Sequence, residues 1–143
     1  MKSVKCLSVA VTVLGLMSLA TPSLAHHSFA AEFDANTPVK LRGVVVRMEW
    51  INPHSWLHID VKNDDGTVTR WMVEGATPNT LLRRGFTKSS LPVGTELIVE
   101  GYRAKNGALR ANGRDIMFPD GKRLFMGSSG TGVLDGKEPP GEK

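Results

Sequence analysis

Residues 49–61 read EWINPHSWLHIDV, a stretch that combines two tryptophans, two histidines and two acids around one proline. From residue 56 onward, apolar side chains alternate with polar or aromatic ones, and this period of two is typical of a β-strand with one buried face. The apolar set is Leu57, Ile59 and Val61, and the opposite set is Trp56, His58 and Asp60. We therefore expect an indole, an imidazole and a carboxylate on the outward face of this strand.

A turn precedes this strand, because Pro53 has a fixed φ angle and disfavours the helical region for Asn52. The turn predicts that an earlier strand, residues 39–50, ends just before it and that His54 lies at the corner between the two strands. Gly43 predicts a bulge or sharp bend within the earlier strand. Alternation in that strand predicts one shared face for Val44, Val46, Met48 and Trp50.

The two ends of the chain differ in composition from its centre. Residues 1–25 combine two lysines, an apolar segment and a small-x-small site, which is the pattern of a signal peptide cleaved after Ala25. Residues 127–143 are dominated by glycine, serine, proline and charge, which predicts a disordered tail. Residues 26–126 then suffice for a single domain. We expect a periplasmic or secreted protein without a membrane span after cleavage.

Charge and cysteine content exclude some classes of function. The full chain has a formal net charge of +4, and removal of the two signal-peptide lysines lowers it to +2. Such a balanced chain without a dense basic track is not expected to bind nucleic acid. The only cysteine, Cys6, lies in the predicted signal peptide. We therefore expect neither disulfides nor thiol chemistry in the mature protein.

The segments after residue 61 predict further strands and one short helix. Residues 63–66 form the hairpin signal NDDG. A strand follows over residues 67–74. Residues 77–85 predict a helix, with Thr77 as its cap, Pro78 in its first turn and Gly85 after its end. Later strands are expected at residues 95–102, 110–118 and 122–126. We expect one face of the strand over residues 67–74 to carry Val68, Arg70, Met72 and Glu74.

This order predicts a mainly β fold, a small five- to six-stranded OB-like barrel with one short helix between strands 3 and 4. An SH3-like barrel or a meander sheet with one helix is the alternative. Ligands of OB-folds bind across strands 2 and 3 and between the loops that join strands 1 to 2 and 4 to 5. In this chain those loops are residues 51–55 and 104–108.

All four histidines fall into two groups: His26 and His27 at the predicted new amino terminus, and His54 and His58 at the corner and on the following strand. An amino-terminal histidine chelates a metal ion through its amine and its Nδ1 atom, and a further imidazole completes a copper or zinc site. Alternatively, the first two histidines lie on a frayed terminus. His54 either donates a hydrogen bond from Nδ1 to the backbone or binds metal, and His58 either contacts a ligand or is simply exposed.

Three tryptophans lie on three successive predicted strands. If their rings are exposed they form a stacking platform, and if they are buried they belong to the core. The ligand-binding candidates are Trp50, Asn52, Trp56, His58 and Trp71.

Enzymatic chemistry has less support in the sequence. Glu49, Asp60 and Glu74 are acids that a hydrolase would use, but solvated or arginine-paired acids are common on strands. The sequence contains neither a glycine-rich phosphate loop nor a nucleophile elbow. We therefore assign no catalytic residue.

Several segments together resemble a family of small exported bacterial proteins with no assigned function. They are HHSFAAEFD at 26–34, W-x-NPH-x-W at 50–56, the strand at 71–74, PNTLLRRG at 78–85 and EGYRA at 100–104. The resemblance extends to about Phe125. It implies an exported single-domain protein and carries no activity or cofactor.

These observations favour a non-enzymatic periplasmic binding module. In one version it captures a transition-metal ion, copper or zinc, through His26, His27, His54 and His58. In another it binds an oligosaccharide, a peptide or a periplasmic partner protein through exposed tryptophan and histidine side chains. A hydrolase is the third hypothesis.

Overall fold

Six strands in one sheet and two short helices make up residues 28–128, the part of the chain that this computed structural model describes. The elements are, in chain order, α1 (Ser28–Glu32), β1 (Phe33–Glu49), β2 (Trp56–Lys62), β3 (Val68–Glu74), α2 (Pro78–Arg83), β4 (Glu96–Ala104), β5 (Arg110–Met117) and β6 (Arg123–Phe125). The mainly β class and a helix between the third and fourth strands are confirmed. The predicted signal peptide, both amino-terminal histidines and most of the predicted tail lie outside the described residues.

Five of the strands close into a ring. The sheet order is β3-β2-β1-β4-β5-β6 with antiparallel neighbours, and β3 pairs in addition with β5 in the parallel sense. The long strand β1 makes this possible, since its first part pairs with β4 and its last part pairs with β2. At Gly43, where both pairings overlap, a Cβ atom would lie 2.8 Å from the carbonyl oxygen of Asp60. The backbones approach too closely there for a side chain.

The bulge in β1 lies at Val46 and not at Gly43. Val45 is paired with Ile59 and Arg47 with His58, so Val46 is an extra residue between two pairs. An extra residue reverses the alternation of faces along a strand. The core side chains are Leu41 and Val45 before the bulge and, partly buried, Met48 and Trp50 after it. The predicted common face is therefore wrong for Val44, which is 37% exposed.

A second irregularity lies near the beginning of β1. The sequence predicts that the strand begins at residue 39, yet β1 begins at Phe33 and continues through Asn36, Thr37 and Pro38 with a shift of register. The carboxylate of Asp34 accepts hydrogen bonds from the Asn36 amide at 2.9 Å and from the Thr37 hydroxyl at 2.8 Å. These local bonds replace part of the ladder to β4.

Helix α2 has the ends that the sequence predicts. The Thr77 hydroxyl accepts a hydrogen bond from the Thr80 amide at 3.2 Å, and Pro78 occupies the first turn. Gly85 follows the helix with a φ of 89°, a left-handed conformation that favours glycine. Leu81 in the helix and Phe86 after it are fully buried and join the core of the ring. Within residues 28–128 neither helix is long and apolar enough to span a membrane.

The amino-terminal segment packs in a separate apolar cluster. The rings of Phe29 and Phe33 lie 5.9 Å apart, and Phe29 contacts the Tyr102 ring edge-on at 5.6 Å. Lys105, in the β4–β5 loop, donates its backbone amide to the Glu32 carbonyl at 2.9 Å and its Nζ to the Ala30 carbonyl at 2.5 Å. Helix α1 is thereby attached to the β4–β5 loop.

Substitution of Gly101 tests the close approach of β4 and β5. A Cβ atom at Gly101 would lie 2.1 Å from the backbone oxygen of Asn112, whereas one at Gly75 would meet the terminal methyl of Met126 at 2.9 Å. A backbone carbonyl cannot move without disturbing the ladder. We expect Gly101→Ala to lower the free energy of unfolding by about 3 kcal/mol and Gly75→Ala by about 1 kcal/mol. Urea denaturation measures both values, and equal losses would contradict this account.

Candidate functional site

One aromatic side chain from β2 and polar side chains from β3 and β5 lie together on one face of the ring, where β3 ends and β5 begins. Trp56 is paired with Glu74, and Glu74 is paired with Asn112. Their strand neighbours Val73 and Ala111 are buried in the core. Because alternate residues of a strand point to opposite faces, the paired residues lie on the face away from the core.

Glu74 is the buried centre of this face. It is 7% exposed, and its Oε1 accepts a hydrogen bond from Nδ2 of Asn112 at 3.3 Å. Oε1 also lies 3.4 Å from Nδ1 of His54, and Oε2 lies 3.9 Å from Nη2 of Arg110. Burial raises the pKa of Glu74, against the opposing charges of His54 and Arg110. A buried carboxylate whose pKa is perturbed in this way is typical of functional sites.

His54 is held at the corner by its Nδ1 atom. This atom lies 3.3 Å from the carbonyl oxygen of Gly75 and 3.4 Å from Oε1 of Glu74. The corner itself is fixed by two backbone hydrogen bonds, from Ser55 to the Ala76 carbonyl at 3.1 Å and from Gly75 to the Ser55 carbonyl at 2.8 Å. A carbonyl oxygen can only accept, so Nδ1 carries the proton and a neutral ring has its lone pair on Nε2. The predicted backbone contact of Nδ1 is confirmed.

Arg110 connects this face to the amino-terminal segment. Its Nη2 lies 3.1 Å from Oε2 of Glu32 as well as 3.9 Å from Oε2 of Glu74. Its guanidinium lies 4.9 Å from the centroid of the Trp56 ring. The carboxylates of Glu32 and Glu74 and the indole of Trp56 therefore share one guanidinium. Three contacts connect the carboxylate of Glu32 to His54.

His58 has different surroundings from His54. It is 4% exposed, because Arg47 and Glu49 of the neighbouring strand cover it. Its Nε2 lies 3.2 Å from Oε1 of Glu49 and 3.5 Å from Nη2 of Arg47, which are themselves 2.7 Å apart. The expectation of an exposed imidazole is wrong. Burial first, and then the charge of Arg47, lower the pKa of His58.

The predicted tryptophan candidates do not share one exposed surface. Trp71 is 7% exposed and belongs to the core, with the guanidinium of Arg103 lying 5.5 Å from its ring. Trp50 is partly buried against the same core, and Trp56 is partly buried and contacts Arg110. Asn52 is exposed in the loop.

Metal-ligating side chains do not form a complete group within residues 28–128. No set of three or more histidine, cysteine, aspartate and glutamate side chains in this part of the chain is arranged to hold a metal ion. His26 and His27 lie outside the described residues. A shallow groove of about 330 Å³ between β1 and β4, lined by Lys40, Tyr102 and Arg114 among others, contains none of the predicted site residues.

Two members of the site have no signal in the sequence. Arg110 and Asn112 begin a strand that carries no turn motif or histidine, and their position depends on the parallel pairing with β3. Glu74 has no sequence motif that distinguishes it from the other two candidate acids, Glu49 and Asp60. The sequence feature that could have indicated Glu74 is its position at the end of a predicted strand, directly before Gly75.

His58 makes the stability of the fold depend on pH. Its folded-state pKa lies below the ordinary value of 6.5, so the unfolded chain binds the proton more readily. The free energy of unfolding should therefore fall as the pH decreases below about 6.5, and His58→Gln should reduce this fall. Denaturant titrations of both proteins between pH 5 and 8 measure the difference. Identical pH dependence in the two proteins would contradict the assignment.

Comparisons with known proteins identify a family. The model of the family of unknown function DUF6152 matches residues 12–113, which agrees with the predicted resemblance to a family without an assigned function. Searches of curated proteins and of solved structures returned no match. Because the match covers more than half of the chain, the protein belongs to the DUF6152 family.

Proposed function

We propose that this protein is an exported, non-enzymatic binding module that captures a transition-metal ion, Cu(II) or Zn(II), beside the Pro53 corner. After cleavage behind Ala25, the ligands are the amine and imidazole of His26, the imidazole of His27 and Nε2 of His54. Imidazole nitrogens and an amine suit copper and zinc better than calcium or magnesium. The proposal applies to the mature protein in the periplasm or outside the cell.

The contact that carries the proposal is the pair of acceptors on Nδ1 of His54. With the proton held on Nδ1, the neutral ring has a lone pair on Nε2, which is the form that binds a metal. The His54 side chain is 27% exposed and therefore reaches solvent. By contrast, Nε2 of His58 contacts Glu49 and Arg47, two residues of β1 that cover the ring. Between these two histidines the geometry favours His54 as the ligand.

The position of the amino-terminal segment supports the same site. Glu32 is linked through Arg110 and Glu74 to His54 by contacts of 3.1, 3.9 and 3.4 Å. His27 is five residues before Glu32, and an extended chain of that length spans at most about 18 Å. The proposal requires the terminal ligands to reach the corner from this anchored segment.

The type of barrel also favours a binding site beside the Pro53 corner. We infer that the ring is a small OB-like barrel, because its strand neighbours run 1-2-3-5-4-1 and its helix lies between strands 3 and 4. In that fold ligands bind beside the loops that join strands 1 to 2 and 4 to 5. His54 lies in the first of these loops, and Lys105 in the second holds helix α1. This support rests on analogy between folds.

The interaction-module alternative has weaker support. It requires Trp56, His58 and Trp71 to present open rings together. Trp71 belongs to the core, His58 is covered, and the Trp56 ring contacts Arg110. No contact of the described residues favours an oligosaccharide or a peptide over a metal ion.

Calorimetry of the mature protein with Cu(II) tests the proposal. His54→Asn keeps a donor in place of Nδ1 and removes Nε2, so we expect it to weaken binding at least about tenfold. One glycine added before His26 should have a similar effect, because it removes the terminal chelate.

His58→Gln is the matched control, since it removes an imidazole four residues from His54 and should leave Cu(II) affinity within about twofold of wild type. Circular dichroism checks that each variant is folded. Affinity that depends on His58 but not on His54 or the free amine would contradict the proposal.

A further inference from the structure

We propose that the groove between β1 and β4 is a second binding site, which takes a small monocarboxylic acid with an apolar body. The groove has a volume of about 330 Å³ and is lined by residues 38–40 of β1, residues 100–102 of β4 and Arg114 of β5. This volume lies within the range of small-molecule sites in proteins. The groove shares no residue with the proposed metal site, so neither site depends on the other.

Interruptions of the sheet on both sides of β4 border the groove. Between the pairs Gly113–Gly101 and Asp115–Glu100, β5 has one residue more than β4, and this extra residue is Arg114. On the other side of β4, the pairing with β1 shifts register just before the groove begins. Bulges redirect side chains and are frequent beside binding sites. The bulge in β5 therefore explains why a long basic side chain lines a groove between two other strands.

The groove has an apolar part, which an inorganic anion would leave in contact with water. Tyr102 is buried, Val39 is half-buried, and Pro38 is exposed beside them. A ligand gains free energy by covering such surface only if it has hydrocarbon of its own. We therefore expect a ligand with a ring or a short aliphatic chain.

The charged side chains around the groove form a network with acids inside and cations outside. The side chains of Glu100 and Asp115 are 26% and 17% exposed, whereas those of their cationic partners are between 39% and 62% exposed. These partners are Lys40, at 3.2 Å from Glu100, Arg114, at 2.7 Å from Asp115, and Arg123, at 3.1 and 3.6 Å from both acids. Three cations against two carboxylates leave one positive charge in excess, on the side that faces solvent. One negative charge on the ligand balances it.

Arg114 is the residue that best fits a carboxylate. Its Nε donates a hydrogen bond to Asp115 at 2.7 Å, and its guanidinium also donates to the Tyr102 hydroxyl. These contacts hold the planar group at the groove before any ligand is present. A guanidinium that is already oriented loses less conformational entropy when it binds a carboxylate. Lys40, on the β1 side of the groove, supplies a second and more mobile charge.

An NMR titration of the ¹⁵N-labelled mature protein with benzoate, without metal, tests the proposal. We expect saturable shifts of the backbone amides of residues 39–40 and 100–102. Benzamide has the same ring without the charge, and acetate has the charge without the ring. Each should bind at least about fivefold more weakly than benzoate, because it lacks either the ion pair or the apolar contact.

Variants of two exposed cations on β1 locate the site. Lys40→Gln should weaken benzoate binding about three- to fivefold, the upper range for an exposed ion pair, and Arg114→Gln should weaken it at least as much. The matched control is Arg42→Gln. Arg42 is two residues from Lys40 and lies 3.8 Å from Glu96, but it does not line the groove. At about 0.15 M salt its removal should leave the affinity within about 1.5-fold of wild type.

The dispersion of the amide spectrum shows whether each variant is folded, and Lys40→Gln at an exposed position keeps the test decisive if Arg114→Gln does not fold. Shifts that rise linearly with benzoate without saturation would overturn the proposal. Equal binding of benzoate with benzamide or acetate would do the same, as would equal losses in Lys40→Gln and Arg42→Gln.

Discussion

The parallel pairing of β3 with β5 is the constraint on which the rest of the structure depends. It joins residues 72–74 to residues 110–112 and turns an open sheet into a ring of five strands. Without it, Glu74 would end a free sheet edge and neither Asn112 nor Arg110 would reach it. The same closure buries Val73 and Ala111 on the core face. Core packing and the polar face therefore have one structural origin.

His54 and His58 are four residues apart, and their different neighbours give the two imidazoles different exposure and different charged contacts. His58 is opposite Arg47 and lies under Glu49, so a cation and burial both disfavour its charged form. His54 lies beyond the strand, where β1 no longer covers it, and its neighbours are a carboxylate and a carbonyl. The first arrangement favours a neutral buried ring, and the second favours a partly exposed ring that can ligate. This difference is the physical basis for proposing His54, and not His58, as a ligand.

Local signals in the sequence predicted much of the fold, and contacts between distant residues explain what they missed. The Pro53 corner and the capped helix beginning at Pro78 depend on the conformational limits of a few adjacent residues, and both were predicted. The bulge at Val46 depends on how β1 pairs with two different strands, and the cover over His58 comes from side chains on β1. Arg110 follows Glu74 by 36 positions and reaches it only through ring closure. The alternation of apolar and polar residues within one strand predicts neither the bulge, nor the burial of His58, nor the contact between Arg110 and Glu74.

The attachment of the amino-terminal segment supports the site proposed at the corner. A free terminus loses conformational entropy when it binds, and this loss opposes chelation by the first residues of a chain. Here Phe29 and Phe33 pack on Tyr102, and Glu32 is held by Lys105 and Arg110, so residues 29–33 are already ordered before any ligand is present. An ordered segment close to the chain end reduces the entropy lost in the proposed chelation, and the aromatic cluster outside the main core provides that order.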